Sequence, residues 1–97
     1  MISLKIHRRG GEHLLAACDS ELLDRTLSEG KARMTVHSSF YHAESGDSDA
    51  LRSRLSMATI ANLVGERSVA VAVEMGLVEE DCVIFIEGVP HAQMARL

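Results

Sequence analysis

Aromatic side chains are scarce in this sequence. Phe40, Tyr41 and Phe85 make up 3% of the chain, and tryptophan is absent. So few rings exclude a stacking platform of the kind on which single-stranded nucleobases are laid. They also require an aliphatic core of Leu, Ile, Val, Ala and Met. Cysteine is scarce too: Cys18 and Cys82 stand 64 positions apart, each in an apolar run. They read as buried free thiols in a reducing cytosol, since a disulfide needs Cα atoms within about 7 Å and nothing local brings them together. No apolar run approaches the roughly 20 residues of a membrane span, and Met1–His7 lacks the layout of a signal peptide. A soluble, cytoplasmic protein without membrane contact is expected. No linker, repeat or low-complexity tract interrupts the chain.

What is present is ordinary for a globular protein. Of 97 residues, 46% are hydrophobic and 25% charged, a size and composition that predict one domain over 1–97. The net charge of −4 argues against a broad basic footprint for nucleic acid, though not against a small local patch.

Periodicity supplies the elements. Ile2, Leu4 and Ile6 alternate with polar residues, Gly10-Gly11 follows, and Leu15 and Ala17 resume the pattern. Two glycines accept the positive φ angles of a tight turn, so 2–8 and 12–18 are predicted to pair as an antiparallel hairpin. With Gly10-Gly11 as the loop, Ile6 lies opposite Leu15 and Leu4 opposite Ala17, and all the apolar residues share one face. Asp19 reads as the N-cap of a helix bearing Leu22, Leu23 and Leu27 and stopping at Gly30. Ala32–Val36 reads as a third strand with Met34 and Val36 inward. A helix starting near Asp47 or Ser48 would place Leu51, Leu55, Ala58 and Asn62 on one narrow face. Helical propensity continues to Glu74, but a straight helix over 48–75 would be roughly 40 Å long, more than so small a domain accommodates. The break is therefore placed at Gly65. Val69–Val73 is read as a second helix because Gly76-Leu77 matches a left-handed C-cap. Cys82–Ile86 is read as a buried strand, Gly88-Val89-Pro90 as a turn, and 92–97 as a last short strand. The order β-β-α-β-α-α-β-β predicts an α+β domain, a mainly antiparallel sheet with helices packed on one face.

The chemistry-bearing candidates are few. Asn62, placed on an apolar helical face, either ties down the Gly65 bend or the Gly88–Gln93 segment, or serves a ligand. Pro90 fixes the backbone around His91, which with Gln93 and Asn62 could line a small-molecule or catalytic site; the alternative is a turn with a surface histidine. Arg8 and Arg9 form an exposed basic tip that could touch phosphates, or could simply solvate the hairpin. Ser56 and Ser68 lie in predicted helices rather than in a nucleophile elbow. No metal is predicted, because the five histidines and two cysteines show no ligand spacing; His37 and His42 are the nearest pair. No cofactor is implied.

Several segments together carry a resemblance. They are Ile2-Ser3-Leu4-Lys5-Ile6-His7-Arg8, Leu14-Leu15-Ala16-Ala17-Cys18-Asp19, Ser39-Phe40-Tyr41, Asn62-Leu63-Val64-Gly65 and Gly88-Val89-Pro90-His91-Ala92-Gln93. On these the chain resembles the archaeal domain-of-unknown-function family 424 over essentially its whole length. The resemblance implies a small soluble archaeal protein with no assigned activity or catalytic residues. The family's association with translation genes implies a protein or RNA partner of the translation apparatus. Taken together, the expectation is a non-enzymatic interaction module that is RNA- or translation-associated. The rival is a small-molecule or catalytic site around Asn62, His91 and Gln93. A homo-oligomer is compatible with the sequence but not indicated by it. A closed, partly apolar pocket lined by those three side chains would favour the rival, and a flat sheet face or an exposed patch rimmed by polar residues would favour a protein or RNA partner.

Overall fold

The opening hairpin forms as its alternation requires. Strands β1 (Ile2–Arg9) and β2 (Glu12–Asp19) pair antiparallel, with Leu4 opposite Ala17 and Ile6 opposite Leu15. Gly10 closes the two-residue loop at φ +59°, in the left-handed region that glycine enters without penalty. The computed structural model describes residues 1–96; Leu97, the end of the predicted last strand, lies outside the described residues.

The hairpin is the frame of a six-stranded sheet. Its other members are β5 (Glu44–Gly46), β6 (Ile60–Val64), β7 (Ile84–Ile86) and β8 (Val89–Ala95), in the order β5-β1-β2-β6-β8-β7. Every pairing is antiparallel except β2 with β6. Helices α2 (Ser48–Met57) and α3 (Glu66–Glu74) cover one face. Leu51 and Leu55 of α2 and Val69 and Ala72 of α3 bury themselves against Leu4, Leu15 and Leu63 of the sheet. The opposite face carries a second, smaller core. There the separate hairpin β3 (Thr26–Glu29) and β4 (Ala32–Thr35) joins the one-turn helix α1 (Ser38–Tyr41) in packing Leu27, Val36 and Tyr41 on Ala16, Cys18 and Val64. The fold is the expected α+β class, with the two longer helices on one side of a mainly antiparallel sheet.

Local signals set the ends of both helices. Asp47 caps α2 by accepting from the Ala50 amide at 2.9 Å, and the Arg96 guanidinium donates to the carbonyls of Leu55 and Ala58 at its C-terminus, each at 2.9 Å. Helix α3 ends in a Schellman motif. Leu77 N donates to Ala72 O and Gly76 N to Val73 O, with Gly76 at φ +74°.

Four readings need correction. The Leu22-Leu23-Leu27 stripe is not a helix: a short 3-10 turn over Ser20–Leu22 is cut off by Asp24 at φ +64°, whose amide bonds Val36 O, and Leu27 lies on β3. Gly30 turns the β3–β4 hairpin instead of stopping a helix. The first long helix ends at Met57, not at Gly65, and 60–64 are the strand β6. Paired on both sides, with β2 and β8, β6 has an apolar run broken only by Asn62, which periodicity does not separate from a buried helix. Finally, 82–86 are not buried: β7 is the last strand of the sheet, with Ile84 60% and Phe85 59% exposed.

The break before α3 has its own cause. Asp19, at the end of β2, is 3% exposed and does not cap the turn that follows it. Its carboxylate crosses to the N-terminus of α3, where it accepts from Arg67 N at 3.1 Å, Ser68 N at 3.0 Å and Ser68 Oγ at 2.9 Å. It thereby satisfies helix-end amides that would otherwise be orphaned, and sets a negative charge at the positive end of the helix. Gly65 is the residue this arrangement demands. It stands at φ +110°, and a Cβ there would lie 2.4 Å from Asp19 Cγ.

Candidate functional site

Strand alternation decides which side chains meet. Ala61 and Leu63 of β6 and Ala92 and Met94 of β8 point into the helix-covered core, so Asn62 and Val64 of β6 and His91 and Gln93 of β8 point to the other face. Register then sets them side by side: Asn62 pairs with Gln93, Val64 with His91, and His91 in turn with Ile84 of β7. This floor lies in a groove of about 530 Å³, walled by Met34 from β4 and Tyr41 from α1 and edged by Cys82, Ile84 and Ile86. The volume is in the range of small-molecule sites. Among the described residues no Lys, Arg, Asp or Glu lines it.

His91 is the most constrained polar group in the groove. It is 8% exposed, and its Nε2 is buried with no hydrogen-bond partner. Burial pushes its pKa below the ordinary 6.5, so the ring is neutral at pH 7, one nitrogen a donor and the other an acceptor. Burial raises the Tyr41 phenol, which therefore also stays neutral. Asn62 is half-buried and Gln93 exposed.

The three residues that the sequence singled out are thus brought together, but not as expected. Asn62 belongs to no helical face with Leu51 and Leu55; it points away from them, because β6 is a strand. Among the described residues its side chain makes no hydrogen bond to Gly65 or to the Gly88–Gln93 segment. That segment is held by backbone instead, through the β6–β8 ladder and the bond from Gly65 N to Pro90 O at 2.9 Å. Pro90 lies inside β8, opposite Phe85, and the turn is made by Glu87-Gly88, both at positive φ. Sequence reasoning missed Met34, Tyr41 and Cys82 as groove residues. The spacing of Cys82, Ile84 and Ile86 at every second position was the available signal for the last of these.

Arg8 and Arg9 are not part of the groove. Both are exposed at the end of β1, opposite His13 and Glu12. Arg8 borders two depressions, one shared with His13 and Arg54 and the other with Lys5 and Glu44. Cys18 is buried as expected, and desolvation pushes its thiol up to about 12, which makes it inert as a nucleophile; Cys82, expected to be buried as well, is free but exposed, because it ends a short 3-10 turn before the edge strand β7. No cluster of three or more His, Cys, Asp or Glu suited to a metal ion occurs among the described residues. None of the described helices is long and apolar enough to cross a membrane.

Comparison with known proteins adds kinship without chemistry. A family model described as a protein of unknown function (DUF424) matches residues 7–97. No curated protein matches the chain. The chain is similar to the crystal structure of an uncharacterized conserved protein from Methanopyrus kandleri, at 29% identity and a TM-score of 0.79, over 99% of this chain and 94% of that one.

Proposed function

The chain belongs to the DUF424 family of proteins of unknown function, and we propose that it is a binding module whose ligand is an uncharged small molecule held in the groove of Asn62, His91 and Gln93. The observation that carries this reading is the unpartnered Nε2 of His91. A buried ring nitrogen without a partner costs roughly 1–3 kcal/mol, and here it stands beside two side-chain amides in one groove. A ligand that offers a hydrogen-bonding edge to Asn62 and Gln93 and an apolar body to Ile84, Ile86 and Met34 suits this lining. The absence of charged residues from the lining, and the neutral state of His91, favour a ligand that is itself neutral.

The test is an NMR titration of the protein with a panel of uncharged amide and heterocyclic fragments. Shifts gathered at Asn62, His91 and Gln93, and lost in Asn62→Leu at unchanged melting temperature, are the expected result. Fragments that bind elsewhere, or that bind Asn62→Leu equally well, refute the assignment.

A second reading, an RNA partner of the translation apparatus, draws on a different observation. Arg8 and Arg9 stand exposed at the tip of the first hairpin, and Arg8 shares a depression with His13 and Arg54, a small basic corner on a chain of net charge −4 in which Arg54 is itself paired with Glu44 at 2.6 Å. This corner would contact phosphates, and the neutral groove plays no part in it.

A further inference from the structure

We propose that the outer edge of β7, with the groove between it and α3, docks an extended polypeptide segment of alternating basic and apolar residues, which adds to the sheet as a further strand. This goes beyond the small-molecule reading and uses the opposite side of β7.

The edge itself is the first observation. β7 pairs only with β8. Among the described residues the backbone of Ile84–Ile86 makes no hydrogen bond outside that pairing, while the flanking amides are taken, Val83 N by Glu80 O at 3.1 Å and Glu87 N by Glu29 Oε1 at 2.9 Å. Sheet edges are ordinarily kept short, or blunted by lysine, proline or a bulge. This one is short, three residues, but has neither lysine nor proline and presents Ile84 and Phe85, 60% and 59% exposed, one toward each face.

Charge selects the occupant. Beside β7 lies a groove of about 550 Å³ whose apolar floor includes Val69, Val73, Val83 and Phe85. Its rim carries Glu66, Glu74 and Glu80, and no Lys or Arg among the described residues lines it. Glu74 is paired with Arg52 at 2.7 Å, whereas Glu66 and Glu80 have no salt-bridge partner among the described residues. The sequence around it has the same bias: residues 68–95 hold five carboxylates and neither lysine nor arginine. A second copy pairing edge to edge would set the two copies' Glu80, Asp81 and Glu87 against each other, and a nucleic acid would meet the same repulsion. A basic strand meets attraction. Side chains alternate across a strand, and neighbouring strands lie about 4.8 Å apart. Every second residue of the incoming strand would thus lie beside Val83 and Phe85, its stem on the apolar floor and its ammonium among the rim carboxylates. The intervening residues would extend the apolar side of Ile84 and Ile86.

The experiment is a titration of the full chain with a synthetic peptide of about ten residues alternating lysine and valine, read by NMR and fluorescence anisotropy. Perturbations concentrated at residues 83–86 and 66–74, with slowed amide exchange along β7, are expected. Glu66→Gln combined with Glu80→Gln, both at exposed positions, should weaken binding about fivefold. The same peptide methylated on its amide nitrogens keeps its charges but loses its strand-pairing donors, and should not bind. Equal binding of the methylated peptide would show charge attraction alone and overturn the proposal. So would equal binding of a glutamate-valine peptide, no binding of the lysine-valine peptide, or a solution dimer through β7 that the peptide does not dissociate.

Discussion

The contact between Asp19 and Gly65 allows a quantitative prediction. In Asp19→Ala the amide and hydroxyl of Ser68, a fully buried residue, lose their acceptor, and the Arg67 amide loses a third bond. Two orphaned buried donors at roughly 1–3 kcal/mol each, with the lost helix-end charge, come to about 4 kcal/mol. For a chain of this length that is a large part of a total stability of roughly 5–15 kcal/mol, and it lowers the melting temperature by on the order of 20 °C. Gly65→Ala acts on the same contact from the other side. Its backbone, φ +110° and ψ 156°, lies in a region essentially reserved for glycine, at a cost of about 1–3 kcal/mol. The new Cβ would also displace the Asp19 carboxylate and forfeit its bonds. In the double variant the carboxylate is already gone, so only the backbone strain is added. The two substitutions should therefore fall short of additivity by about 3 kcal/mol. Urea unfolding followed by circular dichroism on the four proteins measures this. Additive effects would refute the claim that Gly65 is glycine in order to admit Asp19.

The remaining predictions follow from separate parts of the molecule. His91 resists protonation in the folded state, so the unfolded chain takes up the proton first as pH falls below 6.5; stability should decline from there until the lower folded-state pKa is passed, and His91→Gln should flatten that slope in pH-dependent unfolding. If poly-U RNA binds the basic corner, replacing Arg8 and Arg9 with alanine should reduce both the affinity and the salt slope, the latter by about 1.4; an unchanged slope excludes the tip. Leu55→Ala, in the fully buried core beneath α2, should cost about 2–5 kcal/mol in chemical denaturation while leaving the chemical shifts of His91 and Gln93 unchanged.

The candidate site was half legible. His91 and Gln93 stood out because a lone proline precedes them and polar groups sit in an apolar run. Their alternation along β8 puts both on one face, as any strand would. Asn62 falls on a helical stripe in the sequence, but it is the β6–β8 register that brings it to Gln93. Tyr41 and Met34 could not be foreseen, because they reach the groove from α1 and from a hairpin that pairs with no strand of the main sheet. Asp19 was recognised as a capping residue, yet the helix it serves begins more than forty positions later. A cap is read from neighbours in sequence, and this one is assembled from neighbours in space.

What the sequence by itself determined is local. Period-two alternation around Gly10-Gly11 specifies the first hairpin and its register; Asp47 specifies the start of α2; Gly76-Leu77 specifies the end of α3. In each the deciding interactions span a few residues, so composition and spacing contain them. Only the tertiary structure decided the rest: that 60–64 form a central strand, that β7 lies at the edge, and that Asp19 and Gly65 meet. Helix and strand propensities differ by tenths of a kcal/mol per residue, and burying Leu63 and Val64 between two layers outweighs them. Which segment receives that burial depends on strands brought together from distant parts of the chain, and no window along the sequence holds that information.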